Sequence, residues 1–311
     1  MHCTHIIVGG GMSGCVVALA LAAWRKGARV AICEPGRLGG NFGTGGLQYL
    51  RDSEGMRALL DAHRISYGVR PVHGGVLTHK GRVLAYPDGL GGHLPEAQRL
   101  HYIKTRGTAD GFVPGVMNFG GGGNTLVCDL QQLLGVVERV ADIYQSAARV
   151  ISGPMVSVGR WLEASEDIVS TVPLPVLANI LQLDAKERPT CTGEQLRIGH
   201  IPLTDANRAL AHYDYTYTPW LAAVHRVRGA SPEALELEWN ARNDGGVQAD
   251  LQKLGGELIT EPRTMPGHLH PVAWGTWRPE PPIKLAGRFA EWEPRMTVDQ
   301  VADRWHKDLT R

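Results

Sequence analysis

The sequence carries no surplus of charge. Its 32 basic and 31 acidic side chains leave a formal +1 over 311 residues, so nothing broad attracts nucleic acid or an anionic membrane. A local patch is not excluded by that balance. Cysteine is sparse: Cys3, Cys15, Cys33, Cys128 and Cys191 form no CxxC pair, so neither a disulfide framework nor a zinc site is expected. The apolar run VVALALAA falls far short of the ~20 residues a membrane span needs. The opening MHCTHIIVGG lacks the basic stretch and cleavage pattern of a signal peptide. These absences lead to the expectation of a soluble, cytoplasmic protein. GxSxG, GKS/T and HExxH are missing too, which favours chemistry carried by a cofactor over a protein nucleophile or a metal. There is no internal repeat or low-complexity run.

Glycine is abundant, with 39 residues beside 19 prolines, implying many tight turns and close backbone approaches. A hydrophobic content of 43% is ample for a core, and the length suggests one large or two interleaved domains. His5–Val8 reads as a buried strand, Met12–Lys26 as a helix stopped by Gly27, and Ala28–Cys33 as a second strand ending at Glu34. Strand, glycine turn, helix and strand make the βαβ unit of a parallel sheet.

Gly9-x-Gly11-x-x-Gly14 sits at the turn of that unit. The first glycine makes the turn, the second admits a pyrophosphate, and the third packs helix on sheet. The helix start, with Met12 and Ser13, stabilises the diphosphate charge. Glu34 follows at the distance where a carboxylate accepts hydrogen bonds from ribose hydroxyls. Strand, helix and distal acid agree on a dinucleotide.

Further along, 74–87 reads as an antiparallel hairpin turning at His79–Arg82. TLVCDLQQLLGVVERVADIY (125–144) reads as an amphipathic helix of about 15–18 residues. Segments 148–153, 155–164 and 167–173 read as strands, and LPVLANILQL as a helix. Alternation returns over 197–227, whereas 230–262 resists assignment. Residues 283–292 read as a strand with a glycine exit, and 297–309 as a last helix with Thr297 as N-cap.

A second glycine cluster, Arg37-Leu38-Gly39-Gly40-Asn41, follows Glu34. Here the chain resembles flavoproteins of the glutathione-reductase type, in the branch of amine oxidases and UDP-galactopyranose mutases. The resemblance implies that Arg37, Gly39, Gly40 and Asn41 lie against the flavin diphosphate, although Arg37 also fits a solvent-facing turn. LAGRFAEWEPRMTVDQVADRW resembles the closing motif of that branch. It implies that Gly287 and Arg288 lie beside the cofactor, and that Met296, Thr297 and Val298 present a helix start to the flavin pyrimidine. Free N–H groups there would stabilise the negative charge that reduced flavin gathers.

The implied fold is α/β: a Rossmann-like FAD-binding fold with a parallel sheet, helices and an antiparallel insertion, plus a small α+β substrate domain. Residues 1–60, 146–185 and 270–311 would form a discontinuous FAD domain, with 61–145 and 186–269 covering the substrate. The hairpin at 74–87 and YDYTYTPWLAAVHRV resemble parts of the mutases, where arginines bind a diphosphate and tyrosines surround a sugar. Tyr215, Tyr217 and Arg226 match these loosely, and the mutases' long mobile loop has no clear counterpart. His268 and His270 are candidates for an active-site pair near the flavin, and no metal is expected of two ligands alone. Trp274 is a candidate pocket wall beside Trp277.

The implied cofactor is FAD. The leading expectation is oxidation of a C–N bond: hydride passes from a neutral amine's α-carbon to flavin N5, and the imine hydrolyses. A reduced covering domain would leave the flavin open to bulky substrates. These include an amine on a protein side chain or a nucleobase, which the near-neutral charge does not support. The alternatives are a mutase-like isomerase using reduced FAD on a sugar nucleotide, and a non-catalytic FAD-binding protein.

Overall fold

The computed structural model describes residues 2–40, 42, 50–85, 124–273, 275–287, 290–291 and 297–310. Its first unit is the expected βαβ: strand β1 (His2–Val8), helix α1 (Met12–Trp24) and strand β2 (Val30–Cys33), with β1 and β2 parallel. Ile6, Ile7 and Val8 are buried on both faces of β1, the environment of a central parallel strand. α1 is apolar nearly all round. Nine of its residues from Met12 to Leu21 are buried, because the sheet and three other helices enclose it.

After β3 (Leu50–Arg51) comes α2 (Glu54–Ala62), whose N-cap Ser53 accepts from the Met56 N–H at 3.2 Å. β4 (Tyr67–Pro71), β5 (Gly74–Leu77) and β6 (Val83–Ala85) follow, with β5 and β6 forming the expected hairpin. β7 (Asn124–Cys128) joins β3 and β4 in a small antiparallel sheet. The long helix expected over 125–144 is three elements: β7, α3 (Leu130–Val140) and β8 (Ala141–Tyr144). Asp129 caps α3 by accepting from the Gln131 N–H at 2.8 Å, which fixes where helix begins. Pairing of β8 with β2 draws the last residues into extended backbone. This also corrects the boundary at 145. Residues 130–144 lie in the first sheet and its helical cover, not in a separate covering layer, because β8 extends the βαβ sheet and α3 packs on α1.

β9 (Val150–Ser152), β10 (Met155–Ser157) and β11 (Trp161–Ser170) come next. The strands expected at 155–164 and 167–173 thus form one hairpin with a single long β11. The amino half of β11 pairs with β10, and its carboxyl half with β1 and the late strand β17 (Ile283–Leu285). β8, β2, β1, β11 and β17 make five parallel strands. Helix α4 (Leu174–Ile180) follows β11.

The second large sheet runs in the order β16-β12-β15-β14-β13-β5-β6. Its remaining strands are β12 (Thr190–Pro202), β13 (Tyr215–Tyr217), β14 (Val224–Ser231), β15 (Ala234–Asn240) and β16 (Arg263–Ala273). Helix α5 (Asp244–Leu254) buries Val247, Leu251 and Leu254 against one face. The unassigned segment 230–262 therefore holds β15 and α5. The last helix, α6 (Val298–Leu309), packs Val301, Ala302 and Trp305 into the core around α1 and α2.

Candidate functional site

The carboxyl ends of β1, β2 and β11 meet at one place, and both glycine clusters converge there. Gly9 leaves β1 with φ +104°, and the Thr171 hydroxyl donates to its carbonyl at 2.8 Å. A Cβ on Gly14 would stand 2.1 Å from the Gly9 carbonyl oxygen, so only glycine lets α1 approach the strand this closely. Gly11 differs in kind: a Cβ there would meet nothing within 4 Å. Gly11 is also the N-cap of α1, and no side chain caps that helix. Met12 and Ser13 open its first turn, whose N–H groups have no partner within the helix. The result is an open cradle with positive electrostatic character.

The second cluster closes over the first. Gly39 and Gly40 have φ of +78° and +59°, and the Gly39 N–H donates to the Gly10 carbonyl at 2.8 Å. Gly11 and Gly39 form a parallel bridge. Glu34 is fixed from two sides, accepting from the Gly10 N–H and the Gly36 N–H, each at 2.7 Å. A carboxylate has roughly four lone-pair directions, so both oxygens keep acceptor capacity for further partners. Arg37 is exposed and faces a groove of about 650 Å³ shared with α3 residues Gln131 and Glu138. That position corresponds to the solvent-facing alternative.

A cavity of about 250 Å³ opens beside Glu34, bounded by Val8, Gly9, Ala148, Val172, Val176 and Ile180. It lies outside the carboxyl ends of parallel strands, where ligands bind in open α/β sheets. Arg149 and Asn179 are its other polar lining residues, and sequence reasoning missed both. The available signal was Asn179 itself, the single polar residue in LPVLANIL.

The carboxyl-terminal segment reaches the same cradle. Gly287 has φ +94°, and a Cβ on it would lie 2.7 Å from the Ser13 hydroxyl. Its N–H donates to Glu291 at 3.0 Å, and Glu291 in turn pairs with Arg304 of α6. Thr297 caps α6 as expected, with its N–H and hydroxyl donating to Gln300 Oε1 at 2.8 and 3.1 Å. The Thr297 N–H is therefore held within the helix, which leaves Val298 as the described member of the expected N–H edge. Asn41, Trp274, Arg288 and Met296 lie outside the described residues.

Three proposed substrate residues share one face of the second sheet. Tyr217 stands directly across from Arg226. Tyr215 and Tyr217 are buried with ring centroids 5.1 Å apart in an edge-on contact. Arg226 bonds the buried Glu238, which also accepts from the His225 ring at 2.7 Å. Burial alone would raise the Glu238 carboxyl, but Arg226 and His225 override it and hold the group well below the usual carboxylate range. One row along, Arg228 forks onto the buried Glu236 at 2.7 and 3.0 Å. His268 and His270 belong to β16, at the far edge of this sheet, and their side chains lie outside the described residues. Four strand spacings, about 19 Å, separate β16 from the tyrosines of β13, so the sheet does not bring these histidines beside them.

At the opposite, amino end of the parallel sheet lies a different cluster. His5 is 1% exposed, and neither ring nitrogen has a hydrogen-bond partner. Glu166 and Asp167 approach its two nitrogens at 3.5 Å each. Arg25 bonds Glu166 at 2.8 Å and Lys284 bonds Asp167 at 2.9 Å, so both carboxylates are already neutralised. All five cysteines are free thiols, and burial pushes Cys15 up to about 11 and Cys33 up to about 12. Both are protonated and unreactive at neutral pH. No helix among the described residues is long and apolar enough to cross a membrane.

No protein-family model and no curated protein sequence matches the chain. Solved structures do. An oxidoreductase from Methanosarcina mazei superposes with a TM-score of 0.65 at 12% identity, over the whole of both chains. A reduced UDP-galactopyranose mutase gives 0.64 at 11% identity, covering 99% of this chain and 93% of that one. Putrescine oxidase bound to putrescine gives 0.59 at 12% identity, covering 100% and 98%. At such identities the likeness establishes the fold alone: the α/β architecture these structures share, a helix-covered parallel sheet beside a large antiparallel one.

Proposed function

We propose that this chain is an FAD-dependent oxidoreductase that oxidises a C–N bond of an amine. The observation that carries the cofactor is the cradle. At Gly11 it is open to a diphosphate, α1 begins without a side-chain cap, and the Glu34 carboxylate stands at ribose distance in the motif. Gly9, Gly11, Gly14 and Glu34 would hold the ADP half, Gly39 and Gly40 the diphosphate, and Gly287 with the start of α6 the flavin end. When bound, the flavin supplies the hydride acceptor. The chain's own residues bind and orient the amine and exclude water from it.

Charge favours a neutral substrate over a sugar nucleotide. Arg226 and Arg228 are each bonded to a buried glutamate, so this face offers little net positive charge to a diphosphate. A neutral amine beside Tyr215 and Tyr217 requires no such charge. The mutase-like reading draws its support from Tyr217 and Arg226 being cross-strand neighbours.

The purified protein is expected to be yellow, to bleach anaerobically with a diamine or a related amine, and to form peroxide on readmission of air. Turnover of a UDP-sugar only after dithionite reduction, with no bleaching by amines, would replace this reading with the isomerase. Glu34→Arg is expected to lower flavin per chain, because it sets a cation where ribose hydroxyls need an acceptor.

A further inference from the structure

The cavity beside Glu34 has the dimensions and chemistry to distinguish a base. At about 250 Å³ it lies just below the ~300–1,000 Å³ of pockets that enclose whole ligands, so it suits one ring system. Val8, Val172, Val176 and Ile180 provide apolar walls for the faces of such a ring. Glu34 accepts only, which suits ribose hydroxyls and is wrong for ring nitrogens that are themselves acceptors. An adenine edge needs a donor for those nitrogens.

Asn179 can be that donor, and its orientation is determined. Its Oδ1 accepts from Arg188 Nη1 at 3.2 Å. A guanidinium only donates, so the amide atom facing it must be the oxygen. The Nδ2 group is then what Asn179 has to offer the cavity it lines. Arg188 is itself anchored: its Nε donates to the Leu183 carbonyl at 2.5 Å, and its N–H to the Asp184 carbonyl at 3.0 Å. The turn after α4 thereby holds the amide in one sense.

We infer that Asn179 reads the acceptor edge of the cofactor's adenine, and that Arg188 is the positioning residue that fixes its amide. This rests on the FAD reading. The test is titration of flavin-stripped protein with FAD and, separately, with ADP, which carries the base and no flavin. Asn179→Asp keeps the size and the acceptor for Arg188 but removes both donors. It is expected to weaken both ligands about tenfold, the effect of one hydrogen bond. Asn179→Leu should do the same, Asn179→Gln should recover part of the loss, and Arg188→Met should weaken ADP less than Asn179→Asp does. Asn179 is exposed, so melting temperatures of the stripped variants should stay at the wild-type value. Wild-type ADP affinity in both Asn179→Asp and Asn179→Leu overturns the inference and leaves the FAD reading intact. Failure of the wild-type protein to bind either ligand overturns the FAD reading itself.

Discussion

Two glycines three residues apart separate folding from binding. Gly14 has no room for a methyl group, so Gly14→Ala must push α1 off β1, at a cost of about 3 kcal/mol or more. Gly11 has room and an ordinary φ of −62°, so Gly11→Ala should change stability by no more than about 1 kcal/mol. That methyl group, however, projects into the cradle. Gly11→Ala is therefore expected to melt like wild type and yet retain at least about tenfold less flavin, corresponding to about 1.4 kcal/mol. A Gly11→Ala protein with full flavin content would show that the diphosphate lies elsewhere. These glycines and Glu34 were legible in the sequence because their spacing encodes a local βαβ geometry. Asn179 was not, since its orientation depends on Arg188, which the turn after α4 brings back to it. Arg37 was ambiguous for a related reason: which side of its loop it occupies depends on where α3 packs.

Elements with strong local signals were read closely, and those defined by distant pairing were not. β1, α1, β2, the 74–77/83–85 hairpin and the capped last helix follow from periodicity and caps. β8 does not, because ADIY continues the apolar spacing of α3 and becomes a strand only by pairing with β2. The polar segment 230–262 hid α5 because a charged residue, Asp250, is buried among its few apolar ones. Asp250 is fully buried and accepts from the N–H groups of Ala222, Ala223 and Val224 at 3.0, 2.7 and 3.0 Å. These bonds fasten α5 to the loop that leads into β14. Asp250→Ala strands the two buried donors of Ala223 and Val224 and frees that of Ala222, and should cost about 3 kcal/mol. Urea unfolding of Asp250→Ala against Asp250→Asn checks this, and the asparagine should recover part of the loss. An unchanged urea midpoint in Asp250→Ala would mean that packing alone holds the loop.

At the scale of the molecule, three remote pieces of chain share one parallel sheet, and the His5 cluster ties all three together. His5 and Arg25 come from the first piece, Glu166 and Asp167 from the middle one, and Lys284 from the last. Burial lowers the His5 pKa, against the raising pull of Glu166 and Asp167, while Arg25 and Lys284 lower it further. The unfolded chain thus takes up a proton at about pH 6.5, before the folded one does. This contribution to stability is complete above that value and is lost as pH falls from it towards the folded pKa. His5→Gln is expected to flatten the fall in urea midpoint between about pH 7.5 and 5.5. An identical fall in both proteins would assign it to other histidines. That remote segments share one sheet was legible in outline, because βαβ signals recur at both ends of the sequence; the membership of 141–144 was not, since it is a matter of pairing. β17 carries a last consequence. It completes the parallel sheet on the carboxyl half of β11 more than a hundred residues after that strand is made. During synthesis on the ribosome, the nascent chain must therefore carry that bare strand edge while more than a hundred further residues are made, and the proposed cofactor site is complete only once β17 and the segment after it have emerged.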